Sequence, residues 1–263
     1  MRHKRPIVRN IIITIAVVVL VVAANIIRRN STVRGLEVVV NYGGCDTLVT
    51  AQTIEQLVMV GNPTLLSQIV KDVDTRAIQE QVLTSPFVER CQTYVSILGN
   101  VVVKPQQRKP IMHVYYGGKE FYVDNLGQYL PLSKEGRAHV MVVNGRFHQP
   151  DTVVSPRTNL AELAVDSLGA DYDISHIWQV AHFMDQEEYL SMFDQIYLNQ
   201  EGDLILTPKL GTHVVNIGNS EELETKFSHL MALYKQALPR VGWNRYSMVN
   251  LKFKDQVVCQ KRN

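Results

Sequence analysis

The side chains best suited to bind a metal or to exchange protons are eight histidines, which are scattered along the chain. No two of them stand four residues apart, and none lies at zinc-finger spacing from a cysteine. His176 and His182 fall in one predicted helix, but their spacing does not place them on one face. The histidine pattern therefore favours surface and helix-end positions over a metal site.

The candidate nucleophiles are three cysteines, Cys45, Cys91 and Cys259. The chain has neither a G-x-S-x-G elbow nor a phosphate-cradling G-x-x-x-x-G-K loop. Cys259 follows Val257 and Val258, and this β-branched run favours a packed strand cysteine over a nucleophile. An odd number of cysteines gives no disulfide framework, so free thiols are favoured, although a Cys45–Cys91 bridge stays open in an oxidising compartment.

The carboxylates that stand close together in the sequence all fall at predicted helix ends. Helix capping and the helix dipole account for carboxylates in such positions. The three groups are Asp171/Asp173, Asp185/Glu187/Glu188 and Glu221/Glu222/Glu224. We therefore expect no enzyme, no cofactor, no metal and no small-molecule substrate. A membrane-tethered hydrolase or thiol enzyme stays open as an alternative, and it would need a large cleft with convergent, perturbed titratable groups.

One apolar run near the start, Ile11–Ile27, is broken only by Thr14 and Asn25. Counted from Ile7 it reaches the roughly 20 residues that cross a bilayer, so residues 7–27 are predicted to form a transmembrane helix. Arginines and a lysine precede it and Arg28-Arg29 follow it, which favours a cytoplasmic tail of residues 1–6 and an exported remainder. Cleavage as a signal peptide near Val22-Ala23-Ala24 is the alternative.

The exported part has ordinary globular composition, with 20% charged residues and a net charge of only +2. Because the basic excess lies around the apolar run, a nucleic-acid partner is not expected. About 230 residues suit one or two domains.

Residues 34–114 carry the pattern strand, helix, helix, strand, strand. Helices are predicted at 50–59 and 74–83, with Thr50 and Asp74 as their caps. The residues expected to pack these helices on a three-stranded sheet are Ile54, Leu57, Ile78 and Val82. The predicted strands are 34–41, 88–98 and 101–103, the last two joined at Gly99-Asn100.

Residues 115–263 are predicted to form a β domain of antiparallel strands with flanking helices. A hairpin around Gly117-Gly118 joins strands 111–116 and 119–123, and Asn219 with Glu222 offers a capping box for a long helix. The other predicted elements are helices 160–168 and 174–183 and strands 138–143, 194–199, 204–207, 213–217, 246–253 and 256–259.

Several motifs lie along the exported chain, at Gln107–Ile111, Gly118–Asp124, Gly127–Leu132, Ile205–Gly218, Lys226 and Tyr246–Cys259. Taken together with the apolar run, they resemble the FtsQ/DivIB cell-division family, in the form of its Bacteroidetes-like members. They follow the family's order from the end of its POTRA domain to the last strands of its β domain. The very short tail before the apolar run departs from the family pattern.

The resemblance implies a single-pass inner-membrane protein of type II with a POTRA domain at 34–114, and a non-catalytic scaffold at the division septum. It implies that the β domain binds an FtsB/DivIC-like partner, which pairs with an FtsL-like protein, and that the POTRA domain contacts other division proteins. The positions matching the partner-binding region are Leu251, Lys252, Phe253, Lys254, Gln256, Val257, Val258 and Cys259.

The residues themselves support this view, because a terminal strand is commonly an edge strand with one row of unpaired backbone groups. Such an edge can receive a strand from a partner, unless the chain covers its own edge. A POTRA-containing protein of outer-membrane assembly or secretion stays open as a further alternative.

Overall fold

The computed structural model describes residues 4–146, 159–160, 174–254 and 256–262. The chain divides into two compact units: residues 1–43 with 49–107, and residues 44–48 with 108–263. The predicted boundary at 114/115 was placed too late, since it falls inside a strand of the second unit, Pro110–Tyr116.

Helix α1 occupies Lys4–Arg29 in the first unit and contains the apolar run. A search of the described residues for a helix long and apolar enough to span a bilayer finds none. The transmembrane helix predicted at residues 7–27 therefore stays a prediction.

The rest of the first unit is a three-stranded sheet in the order β1-β3-β2, with β1 parallel and β2 antiparallel to β3. The strands are β1 Gly35–Val38, β2 Val88–Val95 and β3 Asn100–Gln107, and the helices are α2 Ala51–Gly61 and α3 Thr75–Val82. This is the predicted order of strand, helix, helix, strand, strand. Two single turns of 3₁₀-helix, Leu65–Ser67 and Val70–Asp72, connect the two helices.

The predicted caps form. The Thr50 hydroxyl accepts a hydrogen bond from the Thr53 N–H at the start of α2. The Asp74 carboxylate accepts hydrogen bonds from the Arg76 and Ala77 N–H groups in the first turn of α3. Ile54, Ile78 and Val82 are buried in the core as predicted. Leu57 is only half-buried, and Val58 takes its place, because the apolar face of α2 lies one residue further along the helix.

The second unit contains a nine-stranded sheet in the order β12-β11-β10-β9-β8-β7-β4-β5-β6. Its strands are β4 Pro110–Tyr116, β5 Lys119–Asp124, β6 Tyr129–Leu130, β7 Met141–Gly145, β8 Phe193–Leu198, β9 Leu204–Pro208, β10 Val214–Gly218, β11 Tyr246–Asn250 and β12 Val258–Lys261. Its described helices are α4 Ile174–Gln186, α5 Leu223–Ala232 and α6 Leu238–Val241, with a π-helical turn at Leu233–Ala237.

The sheet is mixed, which corrects the prediction of antiparallel strands. The pairs β4–β7, β7–β8 and β10–β11 are parallel. Parallel neighbours need a long crossover, and the chain supplies one through α5 and α6 between β10 and β11. The predicted helix at 160–168 lies outside the described residues, apart from Leu160.

The second core forms where α4 and α5 pack against the sheet. Trp178 of α4 and Phe227 of α5 belong to one buried cluster with strand residues such as Phe193, whose ring centroid lies 6.1 Å from that of Phe227. The predicted capping box is wrong, because Glu222 adopts a left-handed φ of +49° and makes no side-chain cap. The Asn219 side chain instead accepts a hydrogen bond from the Lys226 ammonium at 2.8 Å.

Candidate partner-binding edge

Strand β12 lies at one end of the nine-stranded sheet, as expected for a terminal strand. It pairs antiparallel with β11, and Val249 stands opposite Cys259. Within the part of the chain that the structure describes, no strand pairs with its other side. One row of β12 backbone groups is therefore left for another chain.

The residues that supply this row follow from the alternation of antiparallel pairing. The Arg262 N–H donates to the Arg245 carbonyl at 3.1 Å, which directs Arg262 toward β11. Backbone groups of successive strand residues point to opposite sides. The N–H and C=O of Cys259 and Lys261 therefore face the open side, whereas those of Val258 and Gln260 face β11.

The edge rests on the core of the second unit. Val249 and Leu251 are fully buried, and the side chains of Val257 and Cys259 pack against the same cluster. Burial raises the pKa of the Cys259 thiol, so it stays protonated and weakly nucleophilic. Cys259 thus offers its backbone to the open side and its side chain to the core.

The loop between the last two strands carries the exposed apolar surface. The prediction of a strand as far as Phe253 is wrong, because β11 ends at Asn250, whose side-chain oxygen accepts the Lys252 N–H at 3.0 Å. Beyond that point Phe253 is 48% exposed and Lys254 is exposed, while Val258 at the start of β12 is 43% exposed. These three side chains are accessible beside the open strand.

Two of the residues predicted to contact a partner make contacts within this chain. Leu251 is a core residue, 3% exposed. The Lys252 ammonium binds the Asp203 carboxylate at 2.8 Å, and the amide of Asn216 donates to the same carboxylate oxygen. The Lys252 stem lies so close to Gly218 that a Cβ there would come within 2.9 Å of it. Lys252 therefore fastens the loop to the sheet, which the sequence could not reveal.

A groove of about 310 Å³ lies beside the start of β12. Gln256 and Val257 form one wall, and the end of α5 with the π-helical turn Leu233–Ala237 forms the other. Single π-helical turns are frequent at functional sites. Its walls are mostly apolar, with His229 and Gln236 contributing polar atoms, so the groove can accept one apolar side chain.

The predicted site includes Gln256 and Val257 of the groove, but it missed the far half of the open strand and the helical wall of the groove. Gln260 and Lys261 are exposed residues of β12, but the sequence-based strand stopped at Cys259 because the β-branched run ends there. The helical wall comes from His229–Ala237, about twenty residues earlier in the chain than Gln256, so only the fold brings these residues to the edge.

Among the described residues, Cys45, His139, Asp185 and Glu188 line one open groove of about 980 Å³ in the second unit. Asp46 pairs with His139 there at 3.2 Å, and burial raises the pKa of the Cys45 thiol, which keeps it protonated and weakly nucleophilic. The other described groups considered for chemistry do not line this groove.

The His182 ring stacks on Trp178 at a centroid distance of 4.7 Å, whereas His176 lies beside the Ser220 hydroxyl. No group of three or more metal-ligating side chains occurs among the described residues. Asp185 is paired with Lys109 at 2.6 Å, and Asp171 and Asp173 lie outside those residues. All three cysteines are free thiols.

Two family profiles match the chain. Residues 109–260, more than half of it, match the family described as FtsQ/DivIB, C-terminal related. The chain belongs to this family. Residues 31–104 match the POTRA-like domain, so the first unit carries the expected domain type. No curated protein matches the chain.

The family match includes all of β11 and all but the last residue of β12. The match to an FtsQ/DivIB-related domain indicates a role in cell division, with other division proteins as partners and the division site as the location.

Proposed function

We propose that this member of the FtsQ/DivIB family is a non-catalytic scaffold of the division machinery, and that its β12 edge receives a strand from a partner. The observation that supports this proposal is the open side of β12, where Cys259 and Lys261 present their backbone groups. The partner we propose is an FtsB/DivIC-like protein, bound to an FtsL-like protein.

Strand addition combines two sources of binding energy. Backbone hydrogen bonds to Cys259 and Lys261 provide affinity that depends little on the partner's sequence. Phe253, Val258 and the groove at Gln256 and Val257 select the partner's side chains, because an exposed aromatic residue is a typical interface anchor.

The attachment to the membrane is part of the same proposal, and it rests on the sequence. The run Ile11–Ile27, followed by Arg28-Arg29, supports the proposal of a single-pass anchor in the inner membrane, with residues 34–263 in the periplasm at the septum. The POTRA-like unit then lies next to the membrane, where it contacts further division proteins and links early with late arrivals.

The decisive experiment changes one backbone donor on the open side. Full-length protein in detergent is titrated with the partner's periplasmic segment, and Lys261→Pro is compared with the parent. Proline removes the outward N–H, and edge strands tolerate proline where that N–H faces solvent. Loss of one hydrogen bond, together with the ring's obstruction of an added strand, is expected to weaken binding about tenfold.

Lys261→Ala is the matched control, since it removes the same side chain and keeps the N–H. It should bind almost as tightly as the parent. Val258→Pro is a harsher variant, because the Val258 N–H faces β11 and its loss also loosens β12 from the sheet. Undiminished binding by a Lys261→Pro protein with parental circular dichroism and melting would move the interface away from β12.

A further inference from the structure

The tip of the β2–β3 hairpin carries two apolar side chains in water. Ile97 is 84% exposed and Leu98 is 67% exposed. They occupy the central positions of a turn, where glycine, asparagine, aspartate and proline dominate. The turns at Leu126-Gly127 and Leu210-Gly211 carry one leucine each, 44% and 55% exposed, whereas this tip carries two large aliphatic residues side by side, both more exposed than either leucine. A pair of large aliphatic residues at this tip therefore indicates a contact outside the domain.

The turn holds the two side chains in a fixed position. The Gly99 N–H donates to the Ser96 carbonyl at 3.0 Å, and the Ser96 N–H donates to the Asn100 carbonyl at 2.8 Å. Gly99 adopts a φ of +87°, and its carbonyl accepts the Arg34 N–H at 3.0 Å. The tip is thus anchored to its own sheet and to the chain entering β1.

The tip also lies against the last turns of α1, within the same unit. The Arg28 guanidinium donates to the Ser96 carbonyl at 3.3 Å and to the Asn25 side chain at 3.2 Å. An open groove of about 680 Å³ runs between the helix and the tip, and Ala24, Ile97 and Leu98 are among its lining residues. Since a helix rises 1.5 Å per residue, Ala24 lies about 6 Å from Arg28 along the helix.

Basic residues surround this apolar groove. Arg28 and Arg34 line it, and exposed Arg29 stands next to Arg28 at the end of α1. Guanidinium groups bind phosphate through two parallel hydrogen bonds. An apolar tip bordered by cations is typical of an interfacial membrane contact, which reaches about 5–10 Å into the headgroup and acyl boundary.

We propose that this tip, defined by Ile97 and Leu98, inserts into the bilayer surface around α1 and that Arg28, Arg29 and Arg34 bind phosphates of anionic phospholipids. The inference rests on the proposed anchor, because α1 brings the tip to the lipid. Continuity with the apolar run Ile11–Ile27 and the positive charge both favour lipid over a protein segment as the occupant. The contact would fix the orientation of the POTRA-like unit on the membrane.

The test places a reporter on the tip of the full-length protein. Ile97→Trp is reconstituted into vesicles of phosphatidylethanolamine and phosphatidylglycerol, with or without brominated acyl chains. The matched control is Val60→Trp, which replaces another exposed aliphatic residue of the same unit, 82% exposed, away from the groove. Each variant's added emission is obtained by subtracting that of the parent, whose tryptophans are Trp178 and Trp243.

We expect the added emission of Ile97→Trp to shift to the blue and to lose most of its intensity in brominated vesicles, whereas that of Val60→Trp should do neither. Vesicles of phosphatidylcholine alone should give a smaller loss for Ile97→Trp, because the arginines then lack anionic lipid. Equal quenching in both lipid mixtures would remove the phosphate part of the proposal.

Vesicle flotation after carbonate washing tests the membrane anchor independently of the contact between the tip and the lipid. Protein that floats but shows no quenching at Ile97→Trp keeps the anchor and overturns the lipid contact, leaving a protein segment as the occupant of the groove. Protein that fails to float contradicts the anchor and the tip contact together, while the β12 binding experiment still stands by itself.

Discussion

The two ends of the nine-stranded sheet are built in opposite ways. At one end, both residues of β6, Tyr129 and Leu130, are buried, and the chain continues across that end: Gln128 forms a bridge with Asn159, and the Leu160 N–H donates to the Gly127 carbonyl at 2.8 Å. At the other end, β12 has exposed side chains and no described strand beside it. We call these the covered edge and the open edge.

The covered edge is secured by buried polar contacts as well as by packing. The Asp124 carboxylate, at the end of β5, accepts hydrogen bonds from the N–H groups of Leu126 and Gln128 and pairs with Arg108 at 2.9 Å. Burial raises the pKa of Asp124, and the Arg108 guanidinium opposes that rise. Such a network is costly to open, because each partner would be left unsatisfied in the interior.

The open edge has features that limit unwanted pairing. β12 is only four residues long and carries an exposed lysine, and these are two of the features by which proteins discourage unwanted strand pairing. Its apolar contacts lie to the side, at Phe253 and the groove. In the proposed complex, the neighbours of the strand provide the selectivity, while the short length of β12 disfavours self-association.

The largest expected effect is the loss of stability when the covered edge is disrupted. Tyr129 is buried and stacks on Phe121 at a centroid distance of 4.3 Å, so Tyr129→Ala should destabilise the second unit by about 3–5 kcal/mol. Val258→Ala on the open edge should cost about 0.5 kcal/mol or less. Denaturant unfolding can be followed by tryptophan fluorescence, since both tryptophans belong to the second unit. Similar losses for the two variants would abolish the distinction between the edges.

The second effect is on binding. Phe253 is 48% exposed beside the open edge, and Leu126 is 44% exposed in the turn that leads into the covered edge. Phe253→Ala should weaken partner binding by about 2 kcal/mol, or about thirtyfold in Kd, because a large aromatic anchor is lost. Leu126→Ala removes a similarly exposed apolar group and should leave Kd unchanged. Calorimetric titration with the partner segment measures both, and equal effects would deny Phe253 its role.

Local features of this fold could be predicted from the sequence. The caps at Thr50 and Asp74 and the hairpin at Gly117-Gly118 form as expected, because each depends on residues within a few positions of one another. The POTRA-like domain was also predicted from the order of the family's motifs, and the family profile at residues 31–104 confirms it. The β-branched run Val257-Val258 located the open strand to within two residues, at 256–259 against the observed Val258–Lys261.

Features that depend on distant residues could not be predicted. The parallel pairing of β10 with β11 joins segments separated by two helices. Glu222 has a left-handed backbone conformation at the start of α5. The sequence Asn219–Glu222 also fits a capping box, so the pattern alone could not predict this conformation. In the predicted strand 246–253, Leu251 and Phe253 fall on the same face, and only the fold distinguishes buried Leu251 from exposed Phe253.

The smallest expected effects are on the association rate and on stability, and they distinguish two lysines that the sequence does not. Lys254 is exposed on the loop, whereas the Lys252 ammonium is paired with Asp203 and helps to fasten the loop. If the partner segment is acidic, Lys254→Ala should slow association at low salt and have no effect at high salt, because steering by exposed charges is screened. Lys252→Ala should leave the association rate close to that of the parent and cost up to about 1 kcal/mol of stability. Stopped-flow association at two salt concentrations, combined with thermal melting, distinguishes the two roles. A slower association for Lys252→Ala with unchanged melting would return this lysine to the partner-binding surface.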